Sequence, residues 1–210
     1  MNVKELYEEQ KELAKQAILV DSFDKMELIG GVDCAYFEDN VISGAVVIDY
    51  NTFELVDKAY DVLKVDFPYI PGLLAYREAV PMMAAVKKLK IRPDILMVDG
   101  FGTNHPRRCG IATYIGIKLD IPAMGVGKSY MYGKVEEDEI YQDGEKVCQL
   151  LYSRKSKRPV YISPGHRISL STSVDIARHF MDGGRIPLPV KLADEYVADI
   201  KQKILKTVHT

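Results

Sequence analysis

Three carboxylates stand in settings that point to chemistry. Asp33 is the only charged residue between Leu28 and Phe37, in a stretch whose two faces both read as apolar. A carboxylate there either sits at a strand edge or end, bonded to backbone, or is buried and must be paired, protonated or metal-bound. Glu78 falls on the series Leu74, Glu78, Met82, Val86, spaced by four, on the helix face expected to pack on a sheet. Asp99 directly follows the apolar run Ile95–Val98 and precedes Gly100. The carboxyl end of a central strand is where α/β sites assemble. An all-oxygen set with no paired Cys or His suits magnesium or manganese. Such an ion beside carboxylates is the usual apparatus of phosphodiester hydrolysis.

The elements that must position these groups follow from periodicity and turn signals. Val3, Leu6, Tyr7, Leu13, Ala14, Ala17 and Ile18 recur at helical spacing, so the chain opens with an amphipathic helix. Leu28–Phe37, Val41–Tyr50 and Glu54–Asp66 read as strands, joined closely enough to be antiparallel neighbours. Gly72–Leu89 reads as a helix that Pro81 should kink. A buried strand at Ile95–Val98, a helix over 108–119 and a strand over 121–126 follow. Val147–Tyr152 and Pro159–Ile162 read as further strands, and helices over 169–181 and 191–207 close the chain. The order of three antiparallel strands, then parallel strands alternating with helices, is the ribonuclease H-like arrangement. The expectation is an α/β fold, a mixed sheet flanked by helices, as one domain over 1–210 with residues 1–27 as an N-terminal helical extension.

Composition narrows the function classes. The 210 residues are 47% hydrophobic and 28% charged, enough for a packed core and too apolar for a disordered chain. No run approaches a membrane span, and Met1–Glu5 leads into charged residues, so a cytoplasmic protein without membrane partners is expected. Cys34, Cys109 and Cys148 form no close pair and therefore no disulfide framework or zinc knuckle. The net charge of −2 is unevenly spread: residues 1–100 carry a balance of −7 and residues 101–190 one of +4. Arg107-Arg108 and Arg154-Lys155-Ser156-Lys157-Arg158 are the densest basic segments. They are solvated loops or phosphate contacts, since a patch binds phosphates whatever the total charge.

Two further motifs touch on phosphates. Gly125-Val126-Gly127-Lys128-Ser129 resembles the end of a P-loop, but Pro122 stands where the pattern needs glycine, which leaves Lys128 as a single cation after a strand. Ser163-Pro164-Gly165-His166-Arg167 reads as a strand-to-helix turn, either a cap or a set of N–H groups open to an anion.

Phe67-Pro68-Tyr69-Ile70-Pro71-Gly72-Leu73-Leu74-Ala75-Tyr76-Arg77-Glu78, Val98-Asp99-Gly100 and His105-Pro106-Arg107-Arg108 together resemble the endonuclease V family, the deoxyinosine-specific repair nucleases. Gly125–Ser129, Ser163–His166 and Arg185-Ile186-Pro187 extend the resemblance, which runs from about residue 28 to 197 in family order. It implies a ribonuclease H-like fold and a metal cluster at Asp33, Glu78 and Asp99. A fourth ligand is implied at Asp194, which lies off the apolar stripe Leu192, Tyr196, Ile200, Ile204 and reads from periodicity only as a solvated acid. Pro68, Tyr69, Ile70 and Pro71 correspond to a strand-separating wedge. His105 and Lys128 correspond to residues near the scissile phosphate. Gly72, Leu74, Gly100 and Gly102 correspond to the lining of a pocket for the flipped hypoxanthine. Phe101 departs from the family, which commonly has a polar residue there.

The resemblance thus implies a monomeric Mg2+-dependent endonuclease, Mn2+ substituting, that acts in repair on DNA containing deaminated bases. It would cut the second phosphodiester 3′ to inosine and leave 5′-phosphate and 3′-hydroxyl ends. The alternatives are an endoribonuclease acting on inosine-containing RNA and a weakly catalytic binder of deaminated nucleic acid.

Overall fold

In the computed structural model, which describes residues 2–181 and 184–208, the three hairpin-linked segments are strands β1 (Leu28–Phe37), β2 (Asn40–Asp49) and β3 (Leu55–Lys64). β1–β2 and β2–β3 pair antiparallel, with Asp33 opposite Gly44. Strands β4 (Ile95–Asp99) and β5 (Ala123–Gly127) then add in parallel beside β1. Helix α1 (Val3–Ala14) precedes the sheet, α2 (Leu74–Lys87) crosses from β3 to β4, and α3 (Ile111–Leu119) links β4 to β5. This is the expected mixed sheet of the ribonuclease H-like order.

Beyond β5 the sheet is larger than periodicity indicated. β6 (Lys134–Glu136), β7 (Glu139–Gln142), β8 (Glu145–Ser153) and β9 (Ser156–His166) are antiparallel, and the nine strands run 3-2-1-4-5-9-8-7-6. β6 and β7 leave no apolar pattern: within them only Ile140 and Gln142 are buried, so pairing with β8 makes them strands. β9 also overturns the expected turn at Ser163–Arg167. The strand runs through Pro164, whose carbonyl accepts from Thr103 N at 2.8 Å, and a register shift lies beside it. A Cβ on Gly165 would stand 2.9 Å from the Ala112 carbonyl, so this glycine serves close packing against α3 rather than an anion.

The sheet separates two cores. Val32, Leu96, Val98 and Ala123 meet Ala75, Ala79 and Met82 of α2 and Ile115 of α3. The opposite face, carrying Ile29, Met97, Met124 and Val126, meets Val174 and Ile176 of α4 (Leu170–His179) and Val190 of α5 (Leu188–Val208). Helix α2 runs without interruption through Pro81, whose carbonyl accepts from Ser43 Oγ at 2.7 Å. Its buried stripe is Ala75, Ala79, Met82 and Val86, so Leu74 and Glu78 flank the core rather than belong to it. α5 lies on β1 because β1 has glycine at the crossing: a Cβ on Gly31 would stand 2.0 Å from the Pro189 carbonyl.

Candidate active site

Strand alternation decides which face each site residue takes. Ile29 and Asp33 share one face of β1, Met97 and Asp99 one face of β4, and the residues Met124 and Val126 set the same face of β5 on which Lys128 follows. Asp33, Asp99 and Lys128 therefore meet on the α5 side at the carboxyl ends of β4 and β5. Lys128 Nζ lies 2.8 Å from Asp99 Oδ2 and 3.4 Å from Asp33 Oδ2. Asp33 is 4% exposed and its Oδ1 accepts from Cys34 N at 2.6 Å. Burial, and then the like charge of Asp99, push its carboxyl well above the ordinary aspartate range, with Lys128 opposing. Burial works against the charge of Lys128, but Asp99 and then Asp33 hold its pKa above the usual lysine value.

Glu78 reaches the same end from the α2 side. Tyr36 donates its hydroxyl to Glu78 Oε1 and accepts from Arg77 Nε at 2.9 Å, so Arg77 is bonded to Glu78 through the tyrosine while its charge also favours the carboxylate. Burial raises the Glu78 pKa; the Tyr36 bond opposes this and the Asp99 charge adds to it. Asp194 projects from α5, exposed, close enough that its charge also favours the Lys128 ammonium. Among the described residues, no three His, Cys, Asp or Glu side chains form a ready metal-binding group. The Lys128 ammonium lies where Asp33 and Asp99 converge. The donor chemistry nonetheless suits a hard cation: the carboxylates are all-oxygen, two are desolvated, and their mutual repulsion is only partly compensated by one lysine.

A cavity of about 230 Å³, against roughly 30 Å³ for one water in the liquid, has in its wall Leu74, Phe101 and Ser129, which stand four, two and one residues along the chain from Glu78, Asp99 and Lys128. Gly72, Leu74, Tyr69 and His105 line it, as do Phe101, Ile111 and Gln10. Gly72 turns the chain at φ +78°, and its carbonyl accepts from Gln10 Nε2 (3.1 Å), Arg107 Nη2 (2.7 Å) and His105 Nε2 (3.0 Å). His105 Nδ1 accepts from Arg107 N at 3.2 Å, so the proton sits on Nε2 and the ring is neutral. Burial, and then Arg107, push its pKa down to about 4. Both ring nitrogens are thus engaged in the cavity wall, which leaves Lys128 as the cation facing the carboxylates.

Gly100 and Gly102 behave differently from the expected lining. The Gly102 N–H goes to Ser163 Oγ at 2.9 Å and its carbonyl accepts from Gly110 N at 3.0 Å, so the N–H is taken while the carbonyl keeps a second lone pair. Gly100 N bonds Val126 O, and at φ +137° the residue packs beside Ile111. Phe101 packs its ring against Gly127, where a Cβ would stand 2.2 Å from Cε1, and so walls the cavity with an apolar face. Pro68, Tyr69 and Pro71 are exposed and Ile70 is half-buried; Tyr69 is 69% exposed. Sequence reasoning missed Tyr36 and Gln10. Tyr36 lies three residues past Asp33, and no local signal links either residue to its partner.

A family model described as Endonuclease V matches residues 11–195. The endonuclease V of Dictyoglomus thermophilum is 39% identical over 195 residues, 89% of this chain and 86% of that protein. The crystal structure of the endonuclease V of Streptomyces avermitilis superposes with a TM-score of 0.85 at 31% identity, covering 100% of this chain and 95% of that one. That of Ciona intestinalis endonuclease V, in complex with a 24mer DNA containing an inosine followed by a ribo-adenosine, has a TM-score of 0.85 at 27% identity over 96% and 98% of the two chains. A family model that spans most of the chain, relatives of this identity and a fold shared along its whole length agree: this chain belongs to the endonuclease V family.

Proposed function

We propose that this protein is a metal-dependent endonuclease that recognises deaminated bases, chiefly hypoxanthine in inosine, and hydrolyses the second phosphodiester 3′ to the lesion. The products are 3′-hydroxyl and 5′-phosphate ends, and the setting is DNA repair. The observation that carries the reading is the convergence of Asp33, Asp99 and Lys128 at strand ends, from which the chain runs on through Phe101 and Ser129 into the wall of a cavity shared with Gly72, Leu74 and His105. The DNA complex of the Ciona protein, whose fold this chain shares, supports inosine as the lesion.

Asp33, Glu78, Asp99 and Asp194 would hold Mg2+, or Mn2+ in its place. Bound there, a divalent cation polarises the phosphate, activates water and stabilises the leaving oxygen. Lys128, 39% exposed, meets a phosphate oxygen and offsets charge developing at phosphorus. Tyr36 and Arg77 hold the Glu78 carboxylate in place. The cavity takes the flipped base, with Phe101 and Ile111 as apolar walls and the Gly72 turn, locked by Gln10, Arg107 and His105, as its floor. Tyr69, between two prolines that keep the segment extended, enters the step the base leaves.

An endoribonuclease is the second reading, because a ribo-adenosine follows the inosine in the Ciona complex. The test is a single-turnover panel of inosine, uracil and abasic strands, as DNA and as RNA, with and without magnesium. Magnesium-dependent nicking of inosine-containing DNA is expected. Nicking of RNA alone would select the second reading, and no nicking of either would overturn both.

A further inference from the structure

Resting on the nuclease reading, we propose that the β8–β9 hairpin, Arg154-Lys155-Ser156-Lys157-Arg158, is a phosphate clamp that grips the nucleic-acid backbone flanking the cleaved bond. The argument begins with register. β9 runs antiparallel to β5, with Gly127 opposite Tyr161, so chain N-terminal to Tyr161 projects past the end of β5 that carries Lys128. Ser153 pairs with Ser156, which turns the hairpin beyond that same end of the sheet. One guanidinium ties the two together: Arg185 Nη2 donates to the carbonyls of Lys128 and, at 2.9 Å, Pro159. The base of the hairpin is therefore fixed to the residue that faces the carboxylates.

Charge and reach follow. Among the described residues, no acidic side chain lies within ion-pair distance of Arg154, Lys155, Lys157 or Arg158. The acidic turn Glu136–Asp138 connects β6 to β7, across β8 from the active site, so the basic hairpin stands between it and Lys128. Arg154 and Lys155 share a concave surface with Tyr152 and Arg178 of α4. At about 3.3 Å per residue, four residues from Pro159 to Lys155 carry the tip roughly 13 Å past the base. That span is about four phosphates at 3.4 Å spacing along one strand. Exposed lysines on a short hairpin cannot read base edges held in a stack, so the clamp should contribute affinity and alignment rather than lesion choice.

Salt dependence of binding tests this directly. Anisotropy titrations of a fluorescein-labelled 24-nucleotide inosine strand, in EDTA, would compare wild type with Lys155→Ala/Lys157→Ala and with the charge-retaining Lys155→Arg/Lys157→Arg. Each lost phosphate contact lowers the slope of log K against log [salt] by about 0.7–0.9. The alanine pair should lower that slope by about one to two and weaken low-salt binding by about tenfold or more. The arginine pair should keep both near wild type. An unchanged slope and affinity in the alanine pair would overturn the clamp, and so would equal losses in the alanine and arginine pairs. Magnesium-dependent cleavage of the same strand by wild type tests the nuclease reading separately.

Discussion

Lys128 Nζ lies 2.8 Å from Asp99 Oδ2, a cation seated at the ends of adjacent parallel strands. Its half-exposed side chain can leave that carboxylate for a phosphate, whereas a buried lysine could not. Lys128→Ala should lower single-turnover cleavage by about a hundredfold, the scale of one lost charge-stabilising donor. Because the phosphate is common to all lesions, rates on inosine and on control lesions should fall by similar factors. A loss confined to inosine would place Lys128 in the base pocket instead.

Asp99→Asn keeps the shape of the carboxylate and removes the charge that would hold the proposed divalent cation. Cleavage in magnesium should fall by several orders of magnitude while binding of an inosine strand persists. Thermal melting gives a second readout. Magnesium at a hundredfold over its Kd should stabilise wild type by about 2.7 kcal/mol, and the variant far less. Near-wild-type nicking by Asp99→Asn would remove the metal site from this position.

His105 sets an acid limit on stability. Its pKa is lowered to about 4 in the folded chain, against 6.5 for a free histidine, because it is buried beside Arg107. Between those values the unfolded chain binds the extra proton, so stability rises with pH. The contribution is fully present above pH 6.5 and is lost as pH falls toward 4, about 3 kcal/mol in all. The buried Asp33 carboxyl, whose pKa is raised, contributes a slope of opposite sign in the same window, so the test is a difference: chemical denaturation across pH 4–7 should show wild type gaining stability with pH relative to His105→Gln.

Tyr69, 69% exposed, has little packing to lose. Tyr69→Ala should therefore leave the melting temperature nearly unchanged. It should weaken cleavage of inosine in a duplex by roughly tenfold or more, since base–aromatic stacking is worth about 1–3 kcal/mol. The same lesion in a single strand should be much less affected. Equal losses on both substrates would rule out a wedge.

Gly31 lets α5 approach β1, and α5 carries Asp194. An alanine methyl would meet the Pro189 carbonyl at 2.0 Å, so the helix must shift. Gly31→Ala should cost about 2 kcal/mol, a Tm loss of about 4–8 °C. Magnesium-dependent stabilisation should also shrink if Asp194 moves with the helix. An unchanged Tm would mean that the crossing is looser than this geometry implies.

Local pattern by itself determined the three-strand hairpin array, α2, β4, α3 and β5, because each repeats apolar residues at its own period and ends at turn residues. It also singled out Asp33, Glu78 and Asp99, since a charge on an apolar element conflicts with its surroundings and stands out. Lys128 was legible as a cation after a strand. Asp194 carried no such conflict: it is exposed on α5, and only family resemblance marked it. Tertiary structure decided what no period encodes. β6 and β7 are strands through pairing alone, and Ser163-Pro164-Gly165 continues β9 because Gly165 packs against α3. Tyr36 reaches Glu78 across 42 residues, and Gln10 reaches Gly72 across 62. Gly102, which the resemblance implies as pocket lining, donates its N–H to Ser163 and accepts from Gly110, bonds that no local pattern announces. The physical reason is common to all of these: hydrophobic periodicity reports which face of an element leaves water, whereas hydrogen bonds between distant elements depend on the register and crossing distance that packing sets.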